Sequence, residues 1–217
     1  MDPKELIARR VAREIRPGTL VNLGIGLPSL VATFVPASLG VFFQAENGVI
    51  GLGARPPEGM EDRHLTDAGG GFVTAVPGAA SIDSALSFGL IRGGHLDMTV
   101  LGGLQIDEAG HLANWKVPGR MVPGMGGAMD LVTGAARVIV AMQHTAKGQS
   151  KIVPRCSLPL TATRRVDLVV TDLALIEPTS DGLVLRERAP GVSVEDIRAA
   201  TEARLMILAD IPEMTLM

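Results

Sequence analysis

The sequence predicts a single α/β domain over residues 1–217, built on an open, mostly parallel sheet flanked by helices. Three observations carry this. Short β-rich apolar segments alternate with helical ones, the pattern of successive strand–helix units. Glycine-dense turns follow several strand segments, where such units pass from sheet to helix. No repeat, low-complexity tract or linker interrupts the chain, and 217 residues can bury one sizeable core.

Ile7, Val11 and Ile15 recur every fourth residue and predict an amphipathic helix that ends at Pro17-Gly18. Residues 19–23 read as the first strand, and Gly24-Ile25-Gly26-Leu27-Pro28 turns the chain into a helix whose first turn accepts the proline. Residues 41–44 form a second strand that ends at Ala45-Glu46-Asn47-Gly48. Residues 51–71 mix prolines, glycines and charges, the composition of a long surface loop able to cover a site. A helix is expected over 81–91, closed by Arg92-Gly93-Gly94, then a buried strand over 98–101. A short helix follows over 128–135, then strands over 138–142, 166–170 and 183–185, a helix over 194–201 and a last strand over 205–208.

Hydrophobic residues make up 47% and charged residues 20%, the balance of an ordinary globular protein. A net charge of −3, with Arg9-Arg10 in a mixed-charge segment that reads as a solvated face, gives no clustered basic surface for nucleic acid. Cys156 is the single cysteine, which excludes an internal disulfide, argues against a thiolate metal site and suits the cytoplasm. Residues 1–15 intersperse charges with apolar positions, unlike an export signal, and no apolar run approaches the roughly 20 residues of a membrane span.

Among residues that carry chemistry, Glu46 stands immediately after an apolar strand and before Asn47-Gly48. Open α/β sheets bind ligands outside the carboxyl ends of their strands, where this carboxylate falls, although a solvated turn is the commoner reading of the local pattern. Pro123-Gly124-Met125-Gly126-Gly127-Ala128-Met129-Asp130 is a glycine-dense loop entering a helix, suited to an oxyanion or phosphate or simply to a tight connection. Asn22-Leu23-Gly24-Ile25-Gly26-Leu27-Pro28 and Leu101-Gly102-Gly103-Leu104-Gln105-Ile106-Asp107 are further strand-end turns, and neither has the spacing of a dinucleotide fingerprint or a P-loop. His64, His95, His111 and His144 show no metal-ligand spacing. His95 beside Asp97 offers the residue types of a general base, and Lys151 and Arg155 near Cys156 those that depress a thiol pKa, with a structural role the commoner one in both cases. No serine sits in a Gly-x-Ser-x-Gly elbow.

Read together, Gln44-Ala45-Glu46-Asn47-Gly48, Ala113-Asn114-Trp115-Lys116-Val117-Pro118-Gly119 and Gly124-Met125-Gly126-Gly127-Ala128-Met129-Asp130 resemble the B subunit of 3-oxoacid CoA-transferases, in family I of the CoA transferases. Residues 22–28, 91–97, 101–107 and 151–161 resemble the same family in the same order, so the resemblance spans nearly the whole chain. It implies that Glu46 is a nucleophile that attacks an acyl-CoA, forms an acyl-glutamyl anhydride and then a glutamyl-CoA thioester. Coenzyme A is thus a substrate and covalent intermediate, with no tightly bound cofactor and no metal. A glutamate carboxylate, with a reference pKa of about 4.3, needs no base to act as a nucleophile.

The resemblance further implies that Gly126 and Gly127 stabilise the oxyanion. It assigns CoA contacts to Gly24, Gly26, Asn47, Gly48, Gly102, Gly103, Gln105, Ala128 and Met129. The implied partner is an A subunit in a hetero-oligomer, since its glycine-rich signature is absent from this chain. The implied substrates are CoA thioesters and carboxylic acids, succinyl-CoA and acetoacetate first, with 3-oxoadipate, acetate or butyrate as alternatives. The family carries serine where this sequence has Ala45. On the residues alone, a non-catalytic anion-binding module and a sugar-phosphate isomerase of related architecture stay open.

Overall fold

The computed structural model describes residues 1–119, 126–208 and 210–217. Helix α1 (Pro3–Ala12) carries Pro3 in its first turn and buries Ile7, Ala8, Val11 and Ala12. The helix stops short of the expected Pro17: Glu14 and Ile15 bond back three residues, to Val11 and Ala12 (2.9 and 3.3 Å). These tighter turns still bury Ile15, which is why the apolar period outlasts the helix. Strand β1 (Leu20–Leu23) leads through Gly26, at φ +86°, into the expected helix, which is of 3-10 type (Leu27–Phe34) and carries Pro28 in its first turn.

Strands β2 (Phe42–Gln44), β3 (Val49–Leu52) and β4 (Ala75–Ser81) form a meander. Helix α2 (Ser84–Arg92), capped by Asp83, precedes β5 (Met98–Leu101). Then come β6 (Gln105–Asp107), β7 (Leu112–Ala113), helix α3 (Ala128–Gly134) and β8 (Arg137–Ala141). The rest holds β9 (Thr145–Ala146), β10 (Gln149–Ser150), β11 (Ile152–Val153), β12 (Leu168–Val170), β13 (Ala174–Thr179), β14 (Gly182–Arg188), helix α4 (Val194–Ala200) and β15 (Leu205–Ile207).

One sheet runs β15-β14-β13-β12-β8-β5-β1-β2-β3-β4. Strands β12, β8, β5, β1 and β2 are parallel neighbours, as are β14 and β15, while β3 and β13 run against both of theirs. The expected mostly parallel sheet is present. The antiparallel strands enter where the links are too short for a crossover, as in the four-residue turn between β2 and β3. Strand β4 escapes a periodicity reading because Ala-Val-Pro-Gly-Ala-Ala-Ser is an exposed edge, where Pro77 and Gly78 are tolerated.

Both faces of the sheet are covered. Along β8, Val138 and Val140 join the core with α2, α3 and α4, and Ile139 and Ala141 join the opposite core with α1. Strands buried on both sides therefore read as continuous apolar runs. Among the described residues no helix is long and apolar enough to cross a membrane.

Of the basic pair of α1, Arg9 is partly exposed and pairs with Glu5, but Arg10 is not on a solvated face. Arg10 is 6% exposed and grips Glu187 of β14 through two bonds (2.6 and 2.8 Å) and Glu14 through a third (2.7 Å). Glu14 in turn accepts from Arg137 of β8 at 2.6 Å. Burial opposes the charge on Arg10, yet its bonds to Glu187 and Glu14 prevail and hold its pKa above the usual value. Charges spaced four apart on a helix are usually solvated, and here the sheet closes over them.

A second buried polar centre is His144, whose ring nitrogens each lie 2.9 Å from a hydroxyl, Nδ1 from Thr171 and Nε2 from Thr201. Burial pushes its pKa down to about 4, reinforced by Lys151 and opposed by Asp172.

Arg10→Ala leaves Glu187 without its partner, while Glu14 keeps Arg137, and is expected to cost about 3 kcal/mol, read as a lower urea midpoint at unchanged m-value. His144 makes the protein less stable as pH is lowered. Above about 6.5 the ring is neutral in both states; between 6.5 and about 4 the unfolded chain takes up a proton that the folded chain refuses, a loss of about 3 kcal/mol across that window. His144→Gln should flatten the difference between urea midpoints at pH 7.5 and 4.5.

Candidate active site

Strand β2 delivers Glu46 to the carboxyl end of the parallel strands, and the turn after it is locked. Gly48 bonds to Ala45 O and Ala45 to Val49 O (both 2.9 Å), while Ile82 bonds to Gly48 O at 2.9 Å. Gly48 has φ +119°, and a Cβ there would collide with Ile82 O. Only glycine fits. Glu46 is thereby held half-buried at the rim rather than in a free surface turn.

Beneath it lies a row of buried polar side chains. Asn22 Nδ2 reaches Glu46 Oε2 (3.2 Å), Gln44 Oε1 (3.0 Å) and Gln44 O (3.1 Å). Thr99 donates to Asn22 Oδ1 at 3.2 Å, and Gln44 Nε2 donates to Ser87 Oγ at 2.8 Å. All four side chains are essentially inaccessible to water. Among the described residues Asn22 is the donor to the Glu46 carboxylate, and Oε1 receives none. The row is therefore rigid, and it aims one oxygen while leaving the other free.

Gly127 meets Glu46 at its Cγ. A Cβ on Gly127 would lie 3.2 Å from Glu46 Cγ and 3.3 Å from the Phe88 ring, so glycine permits the approach of α3. Ala128 and Met129 form the first turn of that helix. Its last carbonyls are taken by Arg164, which donates to Val132 O (3.1 Å) and Thr133 O (3.3 Å). Pro123, Gly124 and Met125 of the glycine-dense loop lie outside the described residues.

A cavity of about 670 Å³ opens beside Glu46, walled by Gly24 and Gly26, Phe43, Ala45 and both arms of the 51–71 loop. The loop stands where a lid was expected. Its tip is compact, with Asp67 Oδ1 accepting from Gly69 N and Gly71 N at 2.8 Å, and Asn47 ties it down through Nδ2 to Thr66 O at 2.8 Å.

The structure thus sets Glu46, Gly24 and Gly26 in the cavity wall and brings Gly127 against Glu46, with Asn47 and Gly48 holding the turn and loop, while Gly126, Ala128 and Met129 adjoin Gly127 outside the wall. Gly102, Gly103 and Gln105 stand apart from the cavity wall. A Cβ on Gly103 would press to 2.7 Å on Met142 Sδ, a packing requirement, and Gln105 Oε1 accepts from Ser157 N and Leu158 N (both 3.0 Å). Asp97 accepts from Leu20 N at 2.8 Å, and His95 is exposed. Cys156 is the reverse of an activated thiol: burial pushes its pKa up to about 12, with Asp107 adding to it, and the basic neighbours do not prevail. Asn22, Gln44, Ser87 and Thr99 were not legible as site residues, since their alignment is a matter of strand register.

The description "Coenzyme A transferase" belongs to the family whose pattern matches residues 4–200. The chain is 53% identical over 215 residues to the beta chain of the acetate CoA-transferase of Haemophilus influenzae, covering 99% of this chain and 96% of that protein. It is 47% identical over 205 residues to the B subunit of the succinyl-CoA:3-ketoacid coenzyme A transferase of Helicobacter pylori, covering 94% of this chain and 99% of that one. Among solved structures, an acyl-CoA transferase apoenzyme of Escherichia coli O157:H7 superimposes with a TM-score of 0.80 at 24% identity, a likeness of fold. The match covers 99% of this chain but 43% of that longer one.

Gly48→Ala tests the locked turn. The added methyl must displace the backbone at Ile82, with an expected cost of at least about 2 kcal/mol in urea unfolding, where an ordinary turn glycine costs well under 1.

Proposed function

The chain belongs to the coenzyme A transferase family, and on that premise we propose that Glu46 is its nucleophile, carrying CoA between a thioester donor and a carboxylic acid acceptor. The observation that supports this best is the double-sided confinement of Glu46, with Asn22 Nδ2 on Oε2 and Gly127 against its Cγ. Oε1 attacks the donor carbonyl and expels CoA thiolate, leaving an acyl-glutamyl anhydride. The thiolate attacks the glutamyl carbon of that anhydride, releases the donor acid and leaves a glutamyl-CoA thioester. An acceptor carboxylate reverses both steps. In the second step the oxyanion develops on Oε2, where the Asn22 amide already points. The backbone N–H groups at Gly126-Gly127 suit the oxyanion of the first. Each such donor is worth about 3 kcal/mol in acyl transfer.

An anhydride survives only without water, so the open side of the cavity has to be closed. Ile25 and Phe72 line that cavity with 72% and 38% of their surfaces exposed, apolar area suited to a covering surface. The Helicobacter relative is named as a B subunit, and we assign the covering role to an A-type subunit in a hetero-oligomer. Succinyl-CoA with a 3-oxoacid such as acetoacetate is the substrate pair we favour, with CoA bound as substrate and the reaction placed in the cytoplasm. The name of the 53%-identical Haemophilus relative supports acetate as the second reading. A panel of acids assayed with the reconstituted complex separates the two.

The test of the mechanism is covalent. Incubating the complex with an acyl-CoA and then with borohydride should leave a reduced Glu46 in the peptide mass spectrum. Glu46→Gln should lower exchange more than about a thousandfold. A complex that exchanges CoA while its Glu46 peptide stays unmodified would refute this role and favour Glu46 as a turn residue.

A further inference from the structure

Three charged side chains stand in the wall of the Glu46 cavity: Glu46, Asp67 and Arg55. Asp67 is committed to its own loop through Gly69 N and Gly71 N. Arg55 is different. Among the described residues it enters no ion pair and no side-chain hydrogen bond, and it is the one lysine or arginine of the wall. Arg55 is exposed, but the backbone on either side of it is fixed. Ala54 O accepts from Thr74 N (2.9 Å) and Thr74 Oγ1 (2.8 Å), Gly53 N donates to Thr74 O at 2.7 Å, and Pro56 on the other side is buried. Leu23, Phe43, Leu52 and Phe72 supply apolar surface to the same cavity.

A carboxylate nucleophile, apolar walls and one uncommitted guanidinium form a recognisable set. A guanidinium pairs with a carboxylate through two parallel hydrogen bonds, and apolar walls accept the methylenes between that carboxylate and the reacting carbonyl. We propose that Arg55 receives a second carboxylate at the far end of the acyl group, so that this chain selects dicarboxylic acyl donors such as succinyl over neutral ones such as acetyl. The proposal rests on Glu46 being the transferase nucleophile. The phosphates of CoA are the competing anions, but the extended pantetheine arm is longer than a cavity of this volume is wide. Phosphates would therefore fall outside the cavity when the thioester carbonyl is at Glu46.

The experiment compares kcat/KM for succinyl-CoA and acetyl-CoA in the complex with the A-type subunit, for wild type, Arg55→Ala and Arg55→Lys. Arg55→Ala should lose about 10- to 100-fold on succinyl-CoA and less than about twofold on acetyl-CoA, with Arg55→Lys recovering part of the loss. Equal losses on both donors, or no loss on either, overturn the proposal and leave the transferase reading standing. If the loss vanishes with 3′-dephospho-CoA thioesters, the anion is the cofactor's and the proposal also fails. A wild-type complex that transfers CoA from neither donor overturns both readings together.

Discussion

Asn22 has two amide hydrogens and three oxygens within reach, and the geometry of the site follows from how they are shared. The three acceptors lie at 3.0 to 3.2 Å, so both hydrogens of this buried amide are satisfied within the protein and one is shared between acceptors. This sharing depends on register. Thr99, Asn22 and Gln44 are Cα partners across β5, β1 and β2, and in a parallel ladder residues at one level present their side chains to one face. A slip of one residue in any of the three strands would turn a member of the row away and release Glu46 from its donor.

The surrounding structure opposes such a slip. Because each central strand is apolar on both faces, a shifted register would place no strand better than it stands now, while the polar row would be left unsatisfied in the interior. Helix α1 adds a clamp that spans the sheet, since the Arg10 and Glu14 network joins β14 to β8 through side chains from one helical turn. Ser87 extends the polar row out of the sheet into α2, and Phe88 of the same helix packs against Gly127. The helix that satisfies Gln44 therefore also fixes how closely α3 approaches the carboxylate.

Glu46 and Gly126-Gly127 were legible because their patterns are local: a carboxylate at a strand end, glycines before a helix. Their meeting, across a separation of eighty positions in the chain, followed from the combined motifs. The polar row was hidden for the opposite reason, since Asn22, Gln44 and Thr99 acquire a role only once three strands are in register. Gln105 shows how local pattern misleads. It follows a strand and two glycines, as a rim residue would, but it begins a separate three-stranded sheet with β7 and β11, and the Ser157 segment takes its amide. Arg10 misled through spacing that fits a solvated helix face, and β4 through small residues that only an edge position allows.

Charge sets the remaining demand on the site. On the proposed reaction the donor and acceptor acids bring further carboxylates to Glu46, and burial strengthens repulsion between like charges because the local dielectric falls. Where the resemblance predicts a serine hydroxyl before Glu46, the structure has the methyl of Ala45, itself 4% exposed, and among the described residues the Asn22 amide meets the carboxylate. That amide is a neutral donor and does not offset a second full charge brought in with a substrate. Within the described wall of the cavity our proposal gives that task to Arg55, on an arm that Thr74 holds through Gly53 N and Ala54 O. Donor selectivity would then rest on this chain's own loop and water exclusion on the covering partner, so a change in one need not disturb the other.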